Sequence, residues 1–207
     1  MVKIKSVLFA GLFLLVAPAF AQLSIGPRIG TTFTKVDLTD ERFDVTANPG
    51  MTAALMVEWE VNKHFSLQPE ILWNQRKYEQ AYAGVSRSYS LNYLEIPVLA
   101  KVKFGPENFR FFLQGGPTYS YALDGMYQSA NESNENEVIF GEDNFSRNEI
   151  GVQLGGGLAV KAGMGRIVAD VRLGAGFTKN QDLMANSVFT QRYRGLMASV
   201  GYVIPLF

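Results

Sequence analysis

The sequence predicts an all-β fold: an eight-stranded, up-and-down antiparallel transmembrane β-barrel. Three observations lead there. Apolar residues recur at every second position through much of the chain, the pattern of strands with one apolar face. No apolar run in residues 22–207 is long enough for a membrane-crossing helix. The connections between strands alternate between short and long, as they do when short turns gather at one end of a membrane barrel and long loops at the other.

The chain of 207 residues opens on an address. Lys3 and Lys5 precede an apolar stretch from Val7 to Val16, then Pro18 and the small-residue site Ala19-Phe-Ala21. This reads as a secretory signal peptide over residues 1–21, leaving a mature domain of 22–207. Gln22 stands where a lipoprotein would need Cys.

Eight strands follow, at about 22–34, 50–61, 65–78, 89–104, 109–122, 148–161, 166–178 and 192–207. The second sets Met51, Ala53, Leu55, Val57 and Trp59 against Thr52, Glu58 and Glu60. The fifth sets Phe109, Phe111, Leu113, Tyr119 and Tyr121 against Arg110, Gln114, Thr118 and Ser120. Ile150, Val152 and Leu154 continue the pattern in the sixth, and Ile167, Val171 and Leu173 in the seventh. Two strands break phase. In the fourth, Leu91 and Tyr93 are odd, whereas the apolar residues from Leu94 to Phe104 are even; a bulge near Tyr93, or inward-pointing tyrosines, would account for this. In the last strand the even phase from Leu196 to Leu206 conflicts with Phe207. Asn62–His64, Gly105–Asn108 and Ala162–Gly165 read as short turns. Lys35–Pro49, Glu79–Ser88, Leu123–Arg147 and Lys179–Gln191 read as long loops.

Alternation alone fits a soluble barrel with its apolar face inward. Charges on the opposite face (Glu58, Glu70, Lys101, Asp170, Arg172) and aromatics grouped near strand ends favour the apolar face outward, against lipid. An even strand number places both termini at the short-turn, periplasmic end and the long loops outside the cell. An Arg is expected to be costly at lipid-facing Leu55. It is expected to be milder at lumen-facing Met56, with Glu58 and Glu70 near.

Leu91-Asn-Tyr-Leu-Glu-Ile-Pro-Val-Leu-Ala-Lys101 resembles the Tyr-Leu-Glu-Ile-Pro-x-Leu-x-Lys stretch of the PorT-like outer-membrane β-barrel family of Bacteroidetes. Phe65-Ser-Leu-Gln-Pro-Glu-Ile-Leu72 and Gly115-Gly-Pro-Thr-Tyr-Ser-Tyr121 are similar to that family's third and fifth strands. The resemblance implies an eight-stranded barrel in the outer membrane and no single activity. The last strand departs from the usual barrel ending, because Ser199, Gly201 and Pro205 fall in the phase counted back from Phe207.

The inward set expected by phase is Glu58, Glu60, Glu70, Glu95, Glu149 and Asp170. Against it stand Arg28, Arg76, Lys101, Lys103, Arg110, Lys161, Arg166 and Arg172. So narrow a lumen is expected to be plugged by these side chains in mutual pairs. Glu58 and Glu70 lie in adjacent strands at different heights, which argues against a carboxylate pair built for catalysis. His64, the only imidazole, sits in a periplasmic turn with no orienting partner. Gly174-Ala-Gly-Phe-Thr-Lys179 lacks the spacing of a phosphate loop. Gly151, Gly155, Gly157, Gly174 and Gly176 are expected to make room in the lumen. The acidic loop Leu123–Arg147 reads as a solvated surface loop without the spacing of a calcium site.

Composition removes other classes. Nineteen basic and nineteen acidic residues leave no net charge, against nucleic-acid binding. The absence of Cys removes disulfide frameworks, thiol catalysis and cysteine-ligated metals. No catalytic, cofactor-binding or metal-binding residue is expected. The expected partners are outer-membrane lipid and lipopolysaccharide, with the barrel-assembly machinery during biogenesis. The protein is expected to be a monomer and not an enzyme. Its role is expected to be structural or interactive through the outer loops, with a small-solute pore or an accessory role in protein export as alternatives.

Overall fold

The computed structural model describes residues 22–38, 44–82, 84–130, 134–140, 146–178, 180–184 and 187–206. The leader read in residues 1–21, and Phe207, lie outside them. Among the described residues ten strands run in order: β1 Gln22–Leu38, β2 Asp44–Glu60, β3 Phe65–Tyr82, β4 Val85–Phe104, β5 Phe109–Ser129, β6 Glu135–Glu137, β7 Asn148–Ala162, β8 Gly165–Gly176, β9 Asn180–Met184 and β10 Ser187–Pro205. Eight of them form the wall, each antiparallel to the next in the order β1-β2-β3-β4-β5-β7-β8-β10, and β1 pairs β10 to close the barrel. Closure leaves the wall without an open edge. The strands β6 and β9 pair β5 and β10 beyond it.

All eight expected wall strands are present, and all are longer than expected at the long-loop end or match there within two residues. β2 begins at Asp44, and the Glu79–Ser88 loop is a tight hairpin between Tyr82 and Val85. Gly84 takes φ 80° in that turn, and Gly105 takes φ 96° in the turn after β4, values open to glycine at little cost. β4 has 20 residues, roughly 65 Å of strand; at a tilt of about 40° it rises roughly 50 Å, twice the apolar band of about 25 Å in such barrels. The wall therefore continues well past the membrane on the long-loop side.

Across the membrane the inside-out assignment holds. Ile29, Met51, Ile71, Leu113, Ile150, Leu154 and Leu173 face outward, each more than half exposed. Arg28, Glu70, Lys101 and Arg172 face inward, each at most 2% exposed. Above the band both faces invert. Lys35, Asn92, Asp124 and Arg194 take outward positions, while Val36, Tyr78, Tyr89, Leu91, Tyr93 and Tyr193 are buried together inside. The odd apolar phase of Leu91 and Tyr93 comes from this inversion. β4 keeps its odd residues inward from Tyr89 to Lys103, so the inward-tyrosine alternative is correct. The bulge lies across from it in β5: Asn92 pairs Asp124 and Tyr93 pairs Ala122, leaving Leu123 extra. In β10 the odd residues Tyr193, Met197, Ser199 and Val203 face inward, and Leu196, Val200 and Ile204 outward.

Candidate functional site: the lumen and the extracellular mouth

Even positions of β1, β2, β3, β5 and β8 and odd positions of β4, β7 and β10 deliver the lumen side chains. Their charges stack in three layers. Nearest the short turns, the Glu58 carboxylate lies 3.2 Å from both Lys101 Nζ and Lys103 Nζ and accepts a 2.8 Å bond from Ser66 Oγ. Glu60 pairs with Lys103 at 2.8 Å, Arg166 at 2.5 Å and Arg110 at 3.8 Å. Lys101 also donates to Gln68 and sits 4.3 Å from the centre of the Phe112 ring. In the middle layer Glu70 receives Arg28 at 2.8 Å, Arg172 at 2.9 Å and Gln68 at 2.5 Å. Asp170 receives Arg172 at 3.0 Å, Arg28 at 3.4 Å and Ser199 at 2.7 Å. In the upper layer Arg76 bridges Glu95 at 2.8 Å and Glu149 at 2.9 Å, and its guanidinium lies 4.0 Å from the Tyr93 ring centre and 4.9 Å from that of Tyr193. Positive charge is in excess in the lowest layer, balanced in the middle and outnumbered in the upper one. Each buried carboxylate has at least one cation, as burial of charge requires.

Two members of the expected inward set sit differently. Lys161 is exposed, and Arg166 is only half-buried, although it still reaches Glu60. They pair with each other beside the β7–β8 turn, at the end of the barrel. Glu58 and Glu70 are not a pair: Glu70 sits opposite Met56, and the two carboxylates bind separate cations. His64 lies in its turn, with Nδ1 3.3 Å from the Lys103 carbonyl. The lumen glycines make room as expected. An added Cβ at Gly157 would lie 2.7 Å from Phe112 Cζ, and one at Gly176 2.9 Å from the Glu149 carboxylate carbon.

Between the middle and upper layers is a cavity of about 50 Å³, lined by Thr32, Asn74, Thr118, Gln153, Gly174 and Gly195 among others. A Cβ at Gly174 or Gly195 would meet nothing closer than 3.8 Å, so glycine keeps this space open. Asn74 Oδ1, Thr118 Oγ1 and Gln153 Oε1 have no protein partner among the described residues. A polar cavity of this size suits a few water molecules.

Above the upper layer the lumen turns apolar, a feature the sequence reading missed. Tyr78 stacks on Tyr89 at 5.0 Å and meets Tyr193 edge-on at 6.0 Å. The loop read as wholly solvated contributes to this core: Val138 and Phe140 are buried in it, 6% and 7% exposed. Val138 N–H donates to the Gly125 carbonyl at 2.9 Å, and the Arg147 guanidinium lies 5.6 Å from the Phe140 ring centre. The signal was there: Val138-Ile-Phe140 is an apolar triplet inside an acidic loop. Among the described residues, no group of three or more His, Asp or Glu could hold a metal ion.

A closed antiparallel barrel with apolar walls, a charged interior and short turns beside its termini is an integral outer-membrane β-barrel. The chain belongs to the outer membrane protein beta-barrel domain family, which matches residues 20–182. It is a protein of the cell outer membrane. Among solved structures it is similar to the outer membrane protein OprG of Pseudomonas aeruginosa, with a TM-score of 0.56 and 7% identity over 89% of this chain and 96% of that one. It is also similar to a major outer membrane protein of Thermus thermophilus (TM-score 0.49, 14% identity, 90% and 100% covered) and to Neisserial surface protein A (0.45, 12%, 86% and 95%). At these identities the likeness to OprG shows the fold alone. No curated protein matches the sequence.

Proposed function

We propose that this barrel is a non-conducting, non-enzymatic monomer whose role, structural or interactive, is exercised through its extracellular extension. The observation that carries the reading is the filled lumen. Three layers of paired charge and then an apolar core occupy it in series, and eight strands enclose little more than side chains can fill. The signal peptide of residues 1–21, outer-lipid contact and insertion by the barrel-assembly machinery belong to the same reading. The PorT-like stretch Leu91–Lys101 supports placement in that branch of Bacteroidetes barrels, and leaves an accessory role in export as the second reading. The refolded protein in planar bilayers should give no steady conductance. A reproducible ion-selective open state would replace this reading with that of a pore, and co-purification with secretion components from native membranes would favour export.

A further inference from the structure

Three prolines stand where a closed ladder needs N–H groups: Pro69 in β3, Pro97 in β4 and Pro117 in β5. Each lies in one of the three stretches that carry the family resemblance. Successive residues of a paired strand turn their N–H and C=O groups to alternate neighbours. Lys103 N–H donates to the His64 carbonyl at 2.7 Å, so odd residues of β4 face β3 and even ones face β5. Pro97 therefore faces Glu70, Pro117 faces Val98, and Pro69, odd where His64 is even, faces Val57 of β2. Proline has no N–H to give, and the ladders break at these three places. The β3–β4 pairing passes from Pro69–Val98 to Leu72–Glu95, the β4–β5 pairing from Pro97–Thr118 to Ala100–Gly115, and the β2–β3 pairing from Met56–Glu70 to Trp59–Leu67. The outward neighbours Ile71, Ile96 and Val98 put the breaks inside the apolar belt. A fourth break, where Pro27 of β1 faces Tyr202 of β10, stands alone, because the β1–β2 and β8–β10 ladders beside it run on without a gap. Thus β3 and β4 are loosened along both edges at one level, whereas β8 pairs continuously with β7 and β10.

We infer that the wall opens locally here: residues 67–71 of β3 and 96–99 of β4 part from their neighbours and admit water while the rest of the span stays closed. Proline is otherwise confined to sheet edges and bulges, because in a sheet interior it deletes a ladder bond. In hydrocarbon the deletion is costlier, since lipid tails offer no donor to the carbonyls of Val57, Glu70 and Val98. Water entering the wall satisfies them, so the open form regains bonds that the closed form lacks. Three adjacent losses place this segment at the low end of local stability. Glu70 belongs to it, and its carboxylate holds Arg28 and Arg172, so the middle layer is the part of the packed lumen that the opening reaches. The device is independent of the role proposed for the extracellular extension.

The test is hydrogen exchange of the refolded chain in lipid vesicles, read by mass spectrometry. Amides of residues 67–71 and 96–99 should exchange about tenfold faster than those of 167–173 in β8, which are paired on both edges. One ladder bond is worth a factor of about 2–10 in opening. Pro97→Val and Pro117→Val return the missing N–H groups, so each should slow exchange at the seam by about that factor. Pro27→Val restores the isolated bond and should leave the seam unchanged. Heat-modifiable gel mobility checks folding; should Pro97→Val not fold, Pro117→Val, at an exposed outward position, carries the comparison. Exchange at the seam no faster than in 167–173, or no slower in the folded valine variants than in wild type, overturns the proposal. Equal slowing of 67–71 and 167–173 by Pro97→Val would also overturn it, since the added bond would then stabilise the barrel as a whole.

Discussion

Glu70 is the carboxylate on which the middle layer turns. Its side chain is 0% exposed and is held by Arg28 at 2.8 Å and by Arg172 at 2.9 Å. At an effective dielectric of about 20, a unit pair 4 Å apart interacts by about 4 kcal/mol, so two cations give up to about 8 kcal/mol before desolvation, which removes several. Glu70→Gln keeps the volume but leaves two guanidiniums facing only Asp170. The expected cost is about 3–5 kcal/mol, the range for stranding a buried charge. Arg172→Met added to Glu70→Gln restores neutrality, because Arg28 still pairs with Asp170 at 3.4 Å. The double variant should therefore be more stable than the sum of the two single losses, by about 2–3 kcal/mol of coupling. Urea unfolding in lipid vesicles, followed by Trp59 and Trp73 fluorescence and by gel mobility, gives all four free energies. A Glu70→Gln cost below about 1 kcal/mol, or simple additivity, would mean that water or a bound ion already compensates these charges, and the packed-lumen argument would fail.

Other consequences can be checked in the same refolding assay. Leu55→Arg, lipid-facing and 47% exposed, should cost about 2–4 kcal/mol, whereas Met164→Arg in the β7–β8 turn should cost less than about 0.5 kcal/mol. Met56→Arg is no mild control: Met56 is 0% exposed beside Phe112, and Glu58 and Glu70 already hold two cations each. Gly157→Ala should sharply lower folding yield, because its Cβ would lie 2.1 Å from the Ala169 carbonyl oxygen, while Gly174→Ala should fold normally. Phe140→Ala should speed amide exchange and proteolysis around residues 123–140 and leave the unfolding of the membrane-spanning wall nearly unchanged; equal loss in both would show that the mouth and the wall are one cooperative unit.

Much of the wall was legible because lipid imposes a strict rule on one face. Wherever Leu113, Ile150 or Leu173 meets lipid, its neighbours must meet the lumen, so period two survives in sequence. The lumen charges could be assigned by phase for the same reason, but their partners could not. Arg76 meets Glu149 from 73 positions away, and only closure and register decide that contact. The loop-side strand lengths were misjudged where the environment changes. Val45 and Tyr78 alternate as faithfully as residues in the membrane, but with the opposite face apolar, so polar outward residues such as Lys35 and Glu79 read as loop.

The change of environment also explains where the strands are irregular. A barrel that leaves the bilayer must exchange an apolar exterior for an apolar interior within a few residues. One solution changes the sequence phase and keeps the strand regular. In β3, Ile71 and Trp73 are odd and outward, and Tyr78 is even and inward; in β4, Leu94 and Ile96 are even and outward, and Tyr89, Leu91 and Tyr93 are odd and inward. The other solution keeps the sequence phase and inserts a residue, because one extra residue turns all that follow to the other face. In β2 the odd residues Met51, Ala53 and Leu55 lie outside, and after a register shift between Asn48 and Thr52 the odd Val45 packs against the inner core. In β5 the odd Tyr119 and Tyr121 lie outside, and beyond Leu123 the odd Gly125 and Tyr127 turn toward the mouth. These two register shifts thus fall at the same place in the fold, where the outer leaflet gives way to water. The apolar mouth follows from both solutions at once, and its buried Phe140 is the point at which the extracellular loop becomes part of the barrel's own core.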